Sequence, residues 1–269
     1  MSEFKNKNVL ITGGASGIGK IMGRLALEKG AANLIVWDVN PDAMESVRAE
    51  LSNGGNVHCY KVNVADEKEI SVTYEKVKEE IGYVDILINN AGIVRGNSTF
   101  DRQKVSDVRL TMDVNATAPM LVALEMLPDM MLRNSGHICN IASAAGMLGV
   151  PKLSVYCASK WAVVGWTESL RIELKQAHSN VKVTCIAPYG VHSKVFNILE
   201  PEPTAKKIMG AICRDKDFKG LPFPEHFIRF WQGVLPNVLF DFIFGKIFGV
   251  YSVMNHFTGR RIHSGKKQK

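Results

Sequence analysis

Tyr156 and Lys160 stand four residues apart, so on a helix their side chains share a face. An ammonium beside a phenol draws its pKa down from the usual value of about 10, making the hydroxyl an acid or base near neutral pH. Alone, a Tyr-x-x-x-Lys pair is common and mostly structural. Ser143 lies thirteen residues before Tyr156, at the end of the run HICNIAS, where its hydroxyl could hold a substrate oxygen. Asn115, in the stretch Met112–Ala116, is a fourth polar candidate that reads equally well as an ordinary helix residue.

A second group of residues suits phosphate and ribose. Thr12-Gly13-Gly14-Ala15-Ser16-Gly17-Ile18-Gly19 follows an apolar run and opens an amphipathic one, with Gly13, Gly17 and Gly19 at GxxxGxG spacing. Glycines there allow a tight turn and close backbone approach, and the following helix N-terminus faces a pyrophosphate. Asp38 lies 25 residues beyond Gly13 at the end of LIVWD. A carboxylate at a strand end accepts hydrogen bonds from both ribose hydroxyls and repels a 2′-phosphate. Val39, Asn40 and Pro41 bring no Arg or Lys, so NAD is the expected cofactor rather than NADP. A capping or solvated Asp38 is the other reading. Asn89-Asn90-Ala91-Gly92 offers small residues that let backbone approach a flat ring or ribose; alone, it reads also as an Asn-rich turn.

Short apolar runs alternating with longer amphipathic ones must position these residues. Strands are expected at Asn8–Thr12, Asn33–Asp38, Asn56–Asn63, Ile86–Asn89, Gly136–Ile141 and Lys182–Ala187. Helices are expected at Gly17–Lys29, Asp42–Leu51, Glu67–Ile81, Val105–Arg133 and Val155–His178. VLIT, LIVWD and ILINN are apolar nearly throughout, as strands covered on both faces are. The pattern implies one α/β domain over 1–269, a Rossmann-type doubly wound parallel sheet with helices on both faces. Ligands bind such sheets beyond the strands' carboxyl ends, where each polar signature falls.

After about residue 190 the alternation blurs. Residues 191–230, with Pro201, Pro203, Pro222 and Pro224, are expected to form a substrate lid. The region 235–269 joins an apolar segment to a basic tail. Leu235–Tyr251 is interrupted by Asp241 and Lys246 and too short for a membrane span. As a helix it would place Leu239, Phe242, Ile243, Ile247 and Val250 near one side, for packing on the body, membrane-surface contact or dimer contact.

The composition, 46% hydrophobic and 22% charged in 269 residues, excludes a disordered, collagen-like or coiled-coil chain. Five scattered cysteines without CxxC leave no disulfide framework or zinc-thiolate site expected, and fit a reducing compartment. The net charge of +7 is concentrated at one end. Arg260, Arg261, Lys266, Lys267 and Lys269 lie in the last ten residues, and without them 28 basic residues face 26 acidic ones, or +2. Such a tail suits anionic lipid, an acidic partner or plain solvation. No recognition helix or finger spacing points to nucleic acid. The N-terminus enters an apolar strand at Val9 without a long apolar segment before it, so neither a signal peptide nor an N-terminal anchor is expected.

TGGASGIG, Asp38, NNAG, Asn115, Ser143 and YCASK occur in the order and spacing of the classical short-chain dehydrogenase/reductase family, which the chain resembles over residues 7–193. The resemblance implies a catalytic tetrad of Asn115, Ser143, Tyr156 and Lys160. It implies NAD(P) binding by Gly13, Ser16, Gly17, Ile18 and Gly19, with Asn89, Ala91 and Gly92 near the cofactor. Lys160 would bind nicotinamide ribose hydroxyls beside Tyr156, and Asn115 would support a water-linked proton path to Lys160. Asn63 and Val64 stand where the family often has Asp-Val, and Asn63 can still meet an adenine edge. Pro188-Tyr189-Gly190-Val191-His192-Ser193 replaces the usual Pro-Gly and later Thr. Pro188, Val191 and Ser193 would lie at the cofactor, Ser193 by its hydroxyl, and Tyr189 replaces a small residue.

LIVWDVN, RNSGHICNIAS, YCASKWAVVGWTESL and MNHFTGR resemble the retinol and 17-beta-hydroxysteroid dehydrogenase-like branch. That resemblance implies hydride transfer to and from a steroid, retinoid or long-chain alcohol, with Tyr156 taking the hydroxyl proton and Ser143 holding the oxygen. It also implies a homodimer built on the long helices, and a cytoplasmic enzyme peripheral to endoplasmic reticulum or lipid droplets. The acceptor pocket is expected along Ala144–Val155 and Ser193–Phe230, with Val150, Leu153, Val195, Phe196, Ile198 and Leu199 apolar. An NAD-linked reductase of small carbonyls and a non-enzymatic cofactor-binding scaffold are the other readings.

Overall fold

The computed structural model describes residues 2–96, 98–189, 199–221 and 225–247, with side chains omitted for 225–229. Seven parallel strands form one sheet in the order β3-β2-β1-β4-β5-β6-β7. They are β1 (Asn8–Thr12), β2 (Asn33–Asp38), β3 (Asn56–Lys61), β4 (Ile86–Asn89), β5 (His137–Ile141), β6 (Lys182–Pro188) and β7 (Phe218–Leu221). The strand order reverses between β1 and β4, which opens a crevice at their carboxyl ends.

Alternation along each strand feeds two helical layers. Val9 and Ile11 of β1, with Leu34 and Val36 of β2, face α1 (Gly17–Glu28), α2 (Pro41–Leu51) and α7 (Pro201–Cys213). Leu10, Ile35 and Trp37 face the opposite way, toward α3 (Glu67–Glu80), α5 (Ala118–Leu132) and α6 (Ser154–Gln176). Burial on both faces explains the near-continuous apolar runs. Among the described residues no helix is long and apolar enough to cross a membrane.

Helix starts differ in a way that matters for the site. Asn40 caps α2 by accepting from Ala43 N–H, and Asp66 caps α3 by accepting from Lys68 and Glu69 N–H. α1 begins after Ser16 with no side-chain cap and no acid in its first turn. Its positive end is left open to an anion.

Three departures from expectation follow from packing. The single helix expected over Val105–Arg133 is divided: α4 (Val105–Met112) passes through a π-helical turn, Asp113–Thr117, into α5. Residues 201–221, expected within a lid over 191–230, form α7 and β7, the last crossover and strand of the sheet. Ala205, Ile208, Met209, Ala211 and Ile212 bury that helix against the core. In the apolar C-terminal segment, α8 (Glu225–Val234), α9 (Asn237–Phe240) and a π-turn (Asp241–Ile247) succeed one another. Among the described residues of Leu235–Tyr251, Phe240, Phe244 and Gly245 are buried, whereas Leu239, Phe242 and Ile247, expected near one side of a single helix, are exposed. Val250 and the basic tail lie outside the described residues.

Candidate active site

The glycine-rich turn joins β1 to α1 and is tied to the segment after β4 by bonds between side chains and backbone. Gly13 and Gly17 take positive φ values of 62° and 54°, a conformation that favours glycine. A Cβ on Gly19 would lie 2.3 Å from Gly13 O and 2.7 Å from Asn90 Nδ2, so the turn closes onto α1 only without a side chain. Thr12 Oγ1 accepts from Asn90 N–H at 3.0 Å and Ala91 N–H at 3.1 Å. Asn90 Nδ2 returns bonds to Thr12 O at 3.0 Å and Gly13 O at 3.1 Å. The segment after β4 is thereby clasped to the turn after β1.

Between these segments lies a cavity of about 450 Å³. Gly13, Ser16, Ile18, Gly19, Asp38, Asn63, Val64, Ala91 and Gly92 line it; Gly17 supplies the turn beneath. Asp38 Oδ2 accepts from Ala15 N–H and Oδ1 from Asn40 N–H, each at 3.1 Å. Each carboxylate oxygen has a further lone-pair direction for a ribose hydroxyl. Asn63 Oδ1 accepts from Ala65 N–H in a tight turn at the rim. Trp37, Asn90 and Arg95 also line the cavity, and sequence reasoning did not single them out. Among the described residues the buried Trp37 Nε1 has no hydrogen-bond partner. A dinucleotide fits this donor set: an open helix N-terminus for phosphate, a carboxylate for ribose, and apolar walls for a base.

Asn89 lies elsewhere. Its Nδ2 donates to Asn140 Oδ1 at 2.9 Å and Pro119 O at 3.2 Å inside the sheet. Strand alternation turns this side chain from the cavity and leaves Asn90 to face it.

The four proposed catalytic groups converge from three elements. Ser143 follows β5 and caps the short turn Ala144–Gly146, accepting from Ala145 N–H at 3.2 Å and donating to Pro188 O at 3.4 Å. Tyr156 and Lys160 occupy the first two turns of α6, with Lys160 Nζ 5.9 Å from the Tyr156 ring centroid. Burial pushes the Tyr156 phenol up, and its hydrogen bond with Ser143 partly offsets this. Burial also brings the Lys160 ammonium down to about 8, while its Nζ donates to Ile141 O at 2.9 Å. In the chain alone, then, desolvation rather than Lys160 sets the direction at Tyr156.

Asn115 sits fully buried in the π-turn. Its Oδ1 accepts from Ile93 N–H and its Nδ2 donates to Ile93 O, both at 2.8 Å. Nδ2 also donates to Ser159 Oγ at 3.2 Å, and Ser159 donates to Tyr156 O at 2.7 Å. Asn115 thus joins the segment after β4 to α6. Gly92 passes close by, where a Cβ would lie 3.4 Å from Asn115 Oδ1 and 3.6 Å from Lys160 Nζ.

Ala145, Val150, Leu153 and Cys157 form an apolar cluster against Tyr156. Leu199, expected at the acceptor pocket, packs on the core with α1 and α7 instead. Tyr189 is buried beyond β6, its N–H donating to Leu221 O at 2.8 Å. Val191, Ser193, Val195, Phe196 and Ile198 lie outside the described residues.

The family profile described as short chain dehydrogenase matches residues 7–203. The chain belongs to the short-chain dehydrogenase family. Mouse epidermal retinol dehydrogenase 2 is 34% identical over 267 residues, 94% of this chain and 85% of the relative. Human estradiol 17-beta-dehydrogenase 11 is 34% identical over 239 residues, 85% of this chain and 79% of the relative. Among solved structures, a metagenomic short-chain oxidoreductase in complex with NADP is 26% identical with a TM-score of 0.72, covering 81% of this chain and 96% of that one. A Burkholderia phymatum short-chain dehydrogenase/reductase in complex with NAD, at 24% identity and TM-score 0.80, covers 87% and 95% and shares the fold. These relationships place the chain in a family of oxidoreductases with a dinucleotide-binding fold.

Proposed function

We propose that this short-chain dehydrogenase is an NAD-dependent oxidoreductase interconverting a lipophilic alcohol, such as a steroid, retinoid or long-chain alcohol, and its carbonyl. The observation that carries the reading is the convergence of Ser143, Tyr156 and buried Lys160 beside an apolar cluster, next to a cavity bordered by Asp38. The names of the retinol and estradiol dehydrogenase relatives support the substrate class.

When bound, a nicotinamide dinucleotide supplies the hydride acceptor for oxidation, or the donor for reduction. The N-terminus of α1 and the Gly13–Gly19 turn would hold its pyrophosphate, and Asp38 would accept from its adenosine ribose. In oxidation, Ser143 Oγ–H would donate to the substrate oxygen, and Tyr156, ionised at its Oη, would take the hydroxyl proton. Lys160 stabilises ionised Tyr156 and offers Nζ–H donors to ribose hydroxyls. Asn115 holds the Ile93 segment and α6 in register through Ser159. Ala145, Val150 and Leu153 exclude water beside the phenol and favour an apolar acceptor.

A homodimer on α4–α6 belongs to the same reading. Leu124, Met131 and Leu132 of α5 and Trp161 and Ile172 of α6 are exposed at spacings that align on one side of each helix. The free cysteines suit a reducing, cytoplasm-facing location beside endoplasmic reticulum or lipid droplets.

The test is NADH formation by the purified protein with NAD⁺ and estradiol, testosterone, retinol, long-chain alcohols or small secondary alcohols, with Tyr156→Phe as control. Turnover confined to lipophilic alcohols and lost in the variant is the expected result. Turnover of small alcohols alone makes it a general carbonyl reductase, and NADH binding without any turnover makes it a scaffold. Preference for NADP⁺ over NAD⁺ would overturn the role given to Asp38.

A further inference from the structure

The C-terminal elements present an apolar surface that the described fold does not bury. α9 and the following π-turn are anchored through Phe240 and Phe244, stacked with centroids 4.2 Å apart, which cluster with Leu148, Trp231, Leu235 and Ile243. Gln232 Nε2 adds a bond to Met147 O at 2.6 Å. Outside this seam Phe230 and Val234 of α8, Val238 of α9 and Phe242 of the π-turn are all exposed, Val238 to 83%. Leu239 and Ile247 extend the apolar surface. A concentration of large apolar groups in water marks an interaction site.

Charge selects the occupant. After Asp241 the sequence carries Lys246, Arg260, Arg261, Lys266, Lys267 and Lys269, with no Asp or Glu. An anionic phospholipid surface satisfies both features, since Phe, Val and Leu side chains enter the acyl boundary while Lys and Arg meet the headgroups.

We propose that the Phe230–Ile247 face docks this protein on anionic phospholipid membranes. Leu148 and Met147, the points of attachment to the body, lie in the segment between Ser143 and Tyr156. Docking therefore sets the substrate-side wall of the candidate site next to the lipid. The proposal does not depend on which alcohol is turned over.

The experiment is flotation of the full chain with phosphatidylcholine vesicles, with and without phosphatidylserine, at low and high salt. Binding at least about tenfold stronger to the anionic vesicles, and weakened by salt, is expected. The double substitution Val238→Gln and Phe242→Gln should abolish it while leaving the thermal midpoint and NADH binding intact. Replacing Arg260, Arg261, Lys266, Lys267 and Lys269 with Gln should remove the preference for phosphatidylserine. Three results overturn the proposal: no flotation of the wild type, flotation unchanged by the double substitution, or a concentration-dependent dimer lost with that substitution. The last would make the face a self-association surface. Because flotation requires no turnover, an inactive protein that floats separates failure of the catalytic reading from failure of this one.

Discussion

Burial has a large electrostatic consequence at Lys160 in the candidate site. Its ammonium is held at about 8 against a reference of 10.5. Below pH 8 folding buries a charge that water would solvate; above it the folded lysine becomes neutral while the unfolded one still binds a proton. The stability contribution therefore rises with pH between 8 and 10.5, by an amount on the order of 3 kcal/mol at most. Denaturant unfolding of wild type and Lys160→Met should show the variant more stable at pH 7 and the gap narrowing toward pH 10. A pH-independent gap would mean that Lys160 is not desolvated. Tyr156→Phe removes the proposed proton acceptor but leaves the ring in its apolar cluster. Turnover should fall by roughly 10²–10⁴-fold with NADH binding retained, as read by single-turnover absorbance and nucleotide fluorescence. His137 titrates with the same sign. Buried, and bonded to Thr184 Oγ1 and Ser2 Oγ at 2.8 Å each, it is lowered to about 4. The unfolded chain binds this proton first, so stability falls as pH drops from 6.5 toward 4. His137→Gln should flatten acid unfolding over that window.

The turn after β1 and the π-turn do different work for the site. In the first, Gly19 leaves no room for Cβ against Gly13 O. Gly19→Ala should shift the turn and weaken NADH binding by about tenfold or more, since backbone approach to the phosphates sets that affinity; isothermal titration measures it. In the second, Asn115 satisfies both backbone groups of Ile93. Asn115→Ala leaves a buried N–H and C=O unpaired, so about 2–4 kcal/mol of stability should be lost, with kcat falling as the Ile93 segment loosens. The apolar runs made six strands legible, because sheets covered on both faces demand them. β7 was not, since FKGL is short and half polar and becomes a strand only by pairing with β6. The π-turn had no signal either, because α4 and α5 continue the same helical pattern across it. The choice between Asn89 and Asn90 was written in strand alternation, which turns neighbouring side chains to opposite faces.

At the scale of the whole molecule, two groups of exposed apolar side chains bear on assembly and docking, one on the α5 and α6 faces and one on the C-terminal elements. The homodimer reading assigns the first to a partner subunit. Leu124→Glu with Ile172→Glu should then convert a dimer to a monomer in light scattering, without altering vesicle flotation. The sequence by itself determined the doubly wound sheet and the identities of Ser143, Tyr156, Lys160 and the glycine turn, because periodicity and local spacing are properties of the chain. It also disclosed the basic tail, since charge needs no fold to be counted. Tertiary structure decided which groups meet. It turned Asn115 onto Ile93 and Ser159, drew Trp37 and Arg95 to the cavity, and raised Tyr156 while lowering Lys160. It also buried Phe240 and Phe244 and left Leu239 and Phe242 exposed. Each outcome depends on burial and on contacts between residues distant along the chain, which local pattern does not encode.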